Sequence, residues 1–135
     1  MPRGSSRHPV SKADAAAYLA KSQSWLDASR ESLTAERWDV AAGSAVTAGV
    51  NACDAICGTL LCQRSGGGHD EAVGLLATAG DDGRHASRQL AQLLRFKTPA
   101  QYDPAPIAAA DARKAAELAA RLAERAAALI GHTSR

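Results

Sequence analysis

Residues 37–61 read RWDVAAGSAVTAGVNACDAICGTLL, a proline-free stretch in which Trp38, Ala42, Ala45, Gly49, Ala52, Ile56 and Leu60 recur at threes and fours. That spacing lays an apolar seam along a helix and predicts one from about Ala35 or Glu36 to Gln63. Gly43, Gly49 and Gly58 each cost about 1 kcal/mol of helix propensity relative to alanine. Close approach of another helix backbone offsets that loss, so this segment is expected to be the axis of a tightly packed bundle. Aromatic residues make up only 4% of the chain. The core is therefore expected to be thin helices in intimate contact, not rings between sheets.

Upstream, Tyr18/Leu19, Trp25/Leu26 and Leu33 recur at sevens and predict a helix over residues 11–34. Ser11 can cap its start, with Asp14 in the capping-box position. Residues 1–10, MPRGSSRHPV, are polar and broken by Pro2, Gly4 and Pro9, which predicts a flexible lead outside the fold.

Downstream, residues 64–68 form a glycine-rich break, and Asp70 and Glu71 supply first-turn acids for a short helix reaching Ala79. Gly80-Asp81-Asp82-Gly83 predicts its end, and a fourth helix follows through Ala86, Leu90, Leu93, Leu94 and Phe96 to Lys97. Thr98-Pro99 predicts a stop. Pro99, Pro104 and Pro106 predict an extended loop, with Tyr102 as its anchor on the core. A last helix is expected from about Pro106 to Ile130 along Ala108, Ala112, Ala115, Ala119, Leu122, Ala126 and Leu129, with Gly131 as its stop and residues 132–135 as a tail. No run alternates with period two, so no sheet is expected.

One domain of 135 residues, 46% of them hydrophobic, can bury a core without metals or disulfides. A net charge of +2 is too small to argue for bulk attraction to nucleic acid. Cys53, Cys57 and Cys62, an odd number in one helical stretch, point to reduced thiols and a cytoplasmic protein. No run reaches about 18 uninterrupted apolar residues, so no membrane span is expected.

Arg64 and His69 are the sharpest chemical feature, flanking Ser65-Gly66-Gly67-Gly68 at a helix start. A guanidinium there can hold a phosphate while an imidazole, kept neutral by the helix N-terminus, moves a proton. The plainer reading is a loop histidine capping the helix beside an arginine paired with Asp70 or Glu71. Ser44, Thr47, Asn51, Asp54 and Gly58 line one polar stripe of the second helix. It is either the water-facing side or, since its groups are small and mostly uncharged, a face that a ligand or a second chain approaches. A ligand pocket formed by Asn51, Asp54 and Tyr102 is a further possibility. Cys53 and Cys57 read as buried small residues, because zinc needs further ligands at recognisable spacing. His8, His85 and His132 read as surface residues. No Walker loop, nucleophile elbow or His-Glu-x-x-His motif occurs, so no metal or cofactor is expected.

Four segments together resemble the HEPN family of small all-helical domains found beside nucleotidyltransferases and in toxin and defence systems. They are AYLAKSQSWLDAS (17–29), RWDVAAGSAVTAGVNACDAICGTLL (37–61), RSGGGHDEAVGLL (64–76) and KTPAQYDPAPIAAADARKAAELAARLAERA (97–126). The resemblance implies an all-α bundle of about five helices, the third short, pairing as a homodimer through the second. Many such domains are metal-independent ribonucleases with an Arg-x4-6-His motif, which would fall on Arg64 and His69, with Asn51 and Asp54 as supporting polar residues. The expected function is an RNA- or nucleotide-related accessory protein, with endoribonuclease activity as one form. A non-catalytic dimeric module that partners a nucleotidyltransferase is the alternative.

Overall fold

In a computed structural model that describes residues 7–133, the chain is organised around an antiparallel pair of long helices, α1 (Lys12–Thr34) and α2 (Trp38–Leu61). Ser22 Oγ donates to the carbonyl of Ala48 and Ser29 Oγ to that of Ala41, both at 2.7 Å and both fully buried. Ala15, Ser22 and Ser29 thus run antiparallel, at intervals of seven, to the buried Ala55, Ala48 and Ala41. With nothing larger than a hydroxymethyl group at these positions, the two backbones lie close enough for hydroxyl-to-carbonyl bonds to cross between them.

The expected capping box starts α1: Ser11 Oγ accepts from the Asp14 N–H at 3.0 Å, and Asp14 Oδ2 accepts from the Ser11 N–H at 3.3 Å. The buried face of α1 differs from the expected greasy stripe. Leu26 is buried and Tyr18, Leu19 and Leu33 are half-buried, but Trp25 is 44% exposed. Close packing takes small residues inward and turns the indole out.

Glu36, in the left-handed region at φ 58, turns the chain between α1 and α2, so α2 begins at Trp38, after the expected Ala35 or Glu36. It ends at Leu61, and Cys62 at φ 57 forms a left-handed cap whose N–H donates to Gly58. By length and composition α2 could cross a membrane, yet 67% of its most apolar window is buried inside the bundle.

The remaining elements close around this pair. They are β1 (Arg7–Pro9), β2 (Gln63–Ser65), α3 (His69–Ala77), α4 (Gly80–Leu94), α5 (Lys97–Gln101) and α6 (Ala109–Thr133). The core combines Ala42, Ala45, Ala52 and Ile56 of α2 with Leu76 of α3, Leu90 and Leu93 of α4, and Leu118 and Leu122 of α6. Arg113 of α6 lies over the ring of Trp38 at 5.3 Å, fixing the first turn of α2.

Four long helices and the nine-residue α3 make the expected all-α bundle, with corrections at its edges. β1 pairs antiparallel with β2, His8 opposite Arg64, so a sheet exists although none was expected. Val10 is buried against Gly58 and Ala15, so residues 7–10 belong to the fold and not to a flexible lead. Residues 1–6 of that lead and 134–135 of the expected tail lie outside the described residues. Gly80-Asp81-Asp82-Gly83 opens α4 where a break was expected. Gly80 at φ +72 makes the turn, and Asp81 and Asp82 sit in the favourable first turn. The expected extended loop begins with one helical turn, α5. The last helix starts at Ala109, later than expected, and runs through Gly131 to Thr133, so residues 132–133 are helix and not tail.

Candidate functional site

Arg64 stands on β2, where the left-handed Cys62 cap folds the chain back along α2. Its Nη1 donates to the Ser65 carbonyl at 3.1 Å, and its guanidinium lies 5.7 Å from the centre of the Tyr18 ring on α1. Among the described residues the Asp54 carboxyl makes no hydrogen bond or ion pair. Burial pushes its carboxyl up to about 6, against the pull of the Arg64 charge. One turn on, burial and the neighbouring Asp54 push the Cys57 thiol up to about 12, with Arg7 opposing. Burial raises Cys53 as well, followed by the charges of Cys57 and Asp54. Both thiols are therefore protonated packing groups in the core, and Cys62 is exposed.

His69 is the first residue of α3 and faces elsewhere. Its Nε2 lies 3.0 Å from Nζ of Lys97, the first residue of α5. An ammonium can only donate, so the imidazole accepts and is neutral at this atom. Burial lowers the His69 pKa first and the Lys97 charge second, with Asp70 opposing. At the approach to α3 the Glu71 carboxylate folds over Gly67.

Arg64 and His69 thus take separate partners within one chain, Arg64 on α1 and β2 and His69 on α5. Neither is paired with Asp70 or Glu71. The group that meets the imidazole is Lys97, which sequence reasoning missed. No spacing marks a residue 28 positions away, at the start of a five-residue helix that contains a proline.

Asn51 Nδ2 donates to the Thr47 carbonyl at 2.9 Å, and Thr47 Oγ1 to the Gly43 carbonyl at 3.2 Å, so both side chains fold onto their own helix. Tyr102 is 69% exposed and does not anchor its segment to the core. Ile107 does, with a buried side chain and an N–H donating to Asp39 Oδ1 at 2.9 Å. No hydrogen bond joins Tyr102 to Asn51 or Asp54 among the described residues. Of the polar stripe on α2, Ser44 and Gly58 are buried and Thr47, Asn51 and Asp54 half-buried. It is not a fully solvated face.

Beside that stripe, α1, α2 and α5 enclose a groove of about 340 Å³ lined by Trp25, Val40, Gly43, Thr47, Ala100 and Gln101. Val40 is 55% exposed, so two exposed large apolar side chains, Trp25 of α1 and Val40 of α2, line this groove. A larger cleft of about 590 Å³ opens between α4 and α6. Two of its charges are already bridged, Arg125 to Asp82 at 2.7 Å. Comparison with protein-family models and with curated proteins returned no match.

Proposed function

We propose that this chain is a HEPN-like, cytoplasmic accessory module of RNA- or nucleotide-handling systems, and that it acts by association: with a second copy of itself, and through that dimer with a nucleotidyltransferase partner. The groove bearing exposed Trp25 and Val40 beside the small-residue stripe of α2 carries this reading. Exposed large apolar residues gathered at one groove mark a docking surface, and small side chains along α2 let another backbone approach. A twofold pairing presents the same patch twice, so one substitution acts at two places in the interface. The Arg64 and His69 contacts support the same reading, because each already has a partner in its own chain.

The test is solution mass by light scattering over a range of concentrations. Wild type is expected as a dimer at micromolar concentration and Val40→Glu as a folded monomer, since a buried unpaired carboxylate at such a surface costs several kcal/mol. A monomeric wild type, or a Val40→Glu dimer of unchanged strength, overturns the proposal.

One contact favours a second reading, metal-independent cleavage of RNA. In that reading Lys97, not Arg64, moves from His69 Nε2 onto the phosphate, and the freed nitrogen takes the 2′-hydroxyl proton as the 2′-oxygen attacks phosphorus and the 5′-oxygen leaves, taking a proton from water. Its signature is chelator-resistant cleavage abolished by His69→Ala.

A further inference from the structure

Where α4 runs into α5 against α6, Gln92, Arg95, Phe96, Lys114 and Leu118 line a notch of about 230 Å³. Two of the five are cations and none is acidic. Among the described residues neither Arg95 nor Lys114 has an ion-pair partner, unlike Arg84, Arg121 and Arg125. Asp111 and Glu117 lie three positions to either side of Lys114, and Glu117 is held by Arg121 at 2.5 Å. Two like charges facing one recess repel until an anion sits between them. The C-terminal end of α4 offers a counter-charge of about half a unit, too little to balance two full ones. The fixed fork of Arg95 and the point charge of Lys114 suit the several oxygens of a phosphate. Phe96, half-buried, and Leu118, buried, form an apolar wall beside them.

We propose that this notch binds the terminal phosphate of a small phosphomonoester, with the organic part resting on Phe96. Its volume falls below the roughly 300–1,000 Å³ of sites that enclose a whole ligand, so it holds a phosphate headgroup and leaves much of the molecule outside. None of the groove residues takes part, and the site stands or falls independently of dimer formation.

The experiment is a titration of the full chain with inorganic phosphate, adenosine 5′-monophosphate and adenosine. It is followed by amide and Arg95 Nε shifts in nitrogen-15 spectra and by calorimetry at low and high salt. The monophosphate is expected to shift residues 92–96 and 114–118, to bind about tenfold or more weakly to Arg95→Ala and to Lys114→Ala, and to lose affinity with salt. Arg95→Lys keeps the charge and loses less. Both positions are exposed, so these variants are expected to fold. Monophosphate binding tighter than phosphate supports the apolar wall, whereas equal binding of the two assigns the notch to free phosphate and removes the wall's role. Adenosine binding as well as its monophosphate, the absence of shifts at these residues, or unchanged affinity in the double alanine variant overturns the site.

Discussion

At pH 7.5, Asp54→Asn is expected to unfold at higher denaturant concentration than wild type, by up to about 3 kcal/mol. The Asp54 carboxyl lies half-buried, and burial raises its pKa from 3.8 to about 6 in the folded state, with the Arg64 charge opposing. The fold therefore holds this proton more tightly than the unfolded chain does. Well below pH 3.8 the group is protonated in both states and has no effect. As pH rises from about 4 to 6 the unfolded chain releases the proton first, and stability falls. Above 6 the full cost is present. Arg64 limits that cost but does not cancel it, since burial is the larger influence. Urea unfolding of both proteins at pH 4 and 7.5 reads the effect: the gap between them should be small at the first and large at the second. A pH-independent gap, or a less stable asparagine variant at pH 7.5, contradicts this picture of the site.

Gly49→Val is expected to lose about 3 kcal/mol, the upper end of the range for overpacked cores, despite removing a helical glycine. A Cβ at Gly49 would collide with Leu93 Cδ2 and stand 3.4 Å from Leu122 Cδ1. Both leucines are fully buried, so neither can swing into solvent to make room. Gly43→Ala is the internal control on the same helix. There a Cβ meets only Gln101, at 3.7 Å, an ordinary contact, and the variant should gain about 0.5–1 kcal/mol of helix propensity. Equal urea midpoints for the two variants would refute the view that close helix approach, not chance composition, explains the glycine at 49.

The helical architecture was legible because α2, α4 and α6 keep apolar spacings over several turns, and because Ser11 and Asp14 carry a capping pattern with a physical mechanism. What escaped notice lacks a period. Three-residue strands such as β1 and β2 are too short to alternate, and Val10, which follows β1, fills the space above Gly58 and donates its N–H to the Cys62 carbonyl. Gly80-Asp81-Asp82-Gly83 was misread because glycine and aspartate serve a turn and a helix start equally well. The seven-residue recurrence of α1 is legible in its large side chains, whereas the positions that meet α2 are alanine and serine, whose small size gives no hydropathy signal. Of the candidate site, Arg64, His69, Asn51 and Asp54 could be named from sequence, yet their partners could not. His69 meets Lys97 only because the chain returns through α5, and Tyr102 points outward because the Ile107 bond to Asp39 already fixes that segment.

Association without cleavage is the central functional claim, and incubation of purified, folded protein with mixed RNA in excess chelator tests it most directly, using wild type, His69→Ala, Lys97→Ala and Arg64→Ala in parallel. The expected result is intact RNA in all four reactions, from protein that light scattering shows to be dimeric. RNA cut by wild type and spared by His69→Ala would contradict the account and make the imidazole a catalytic group.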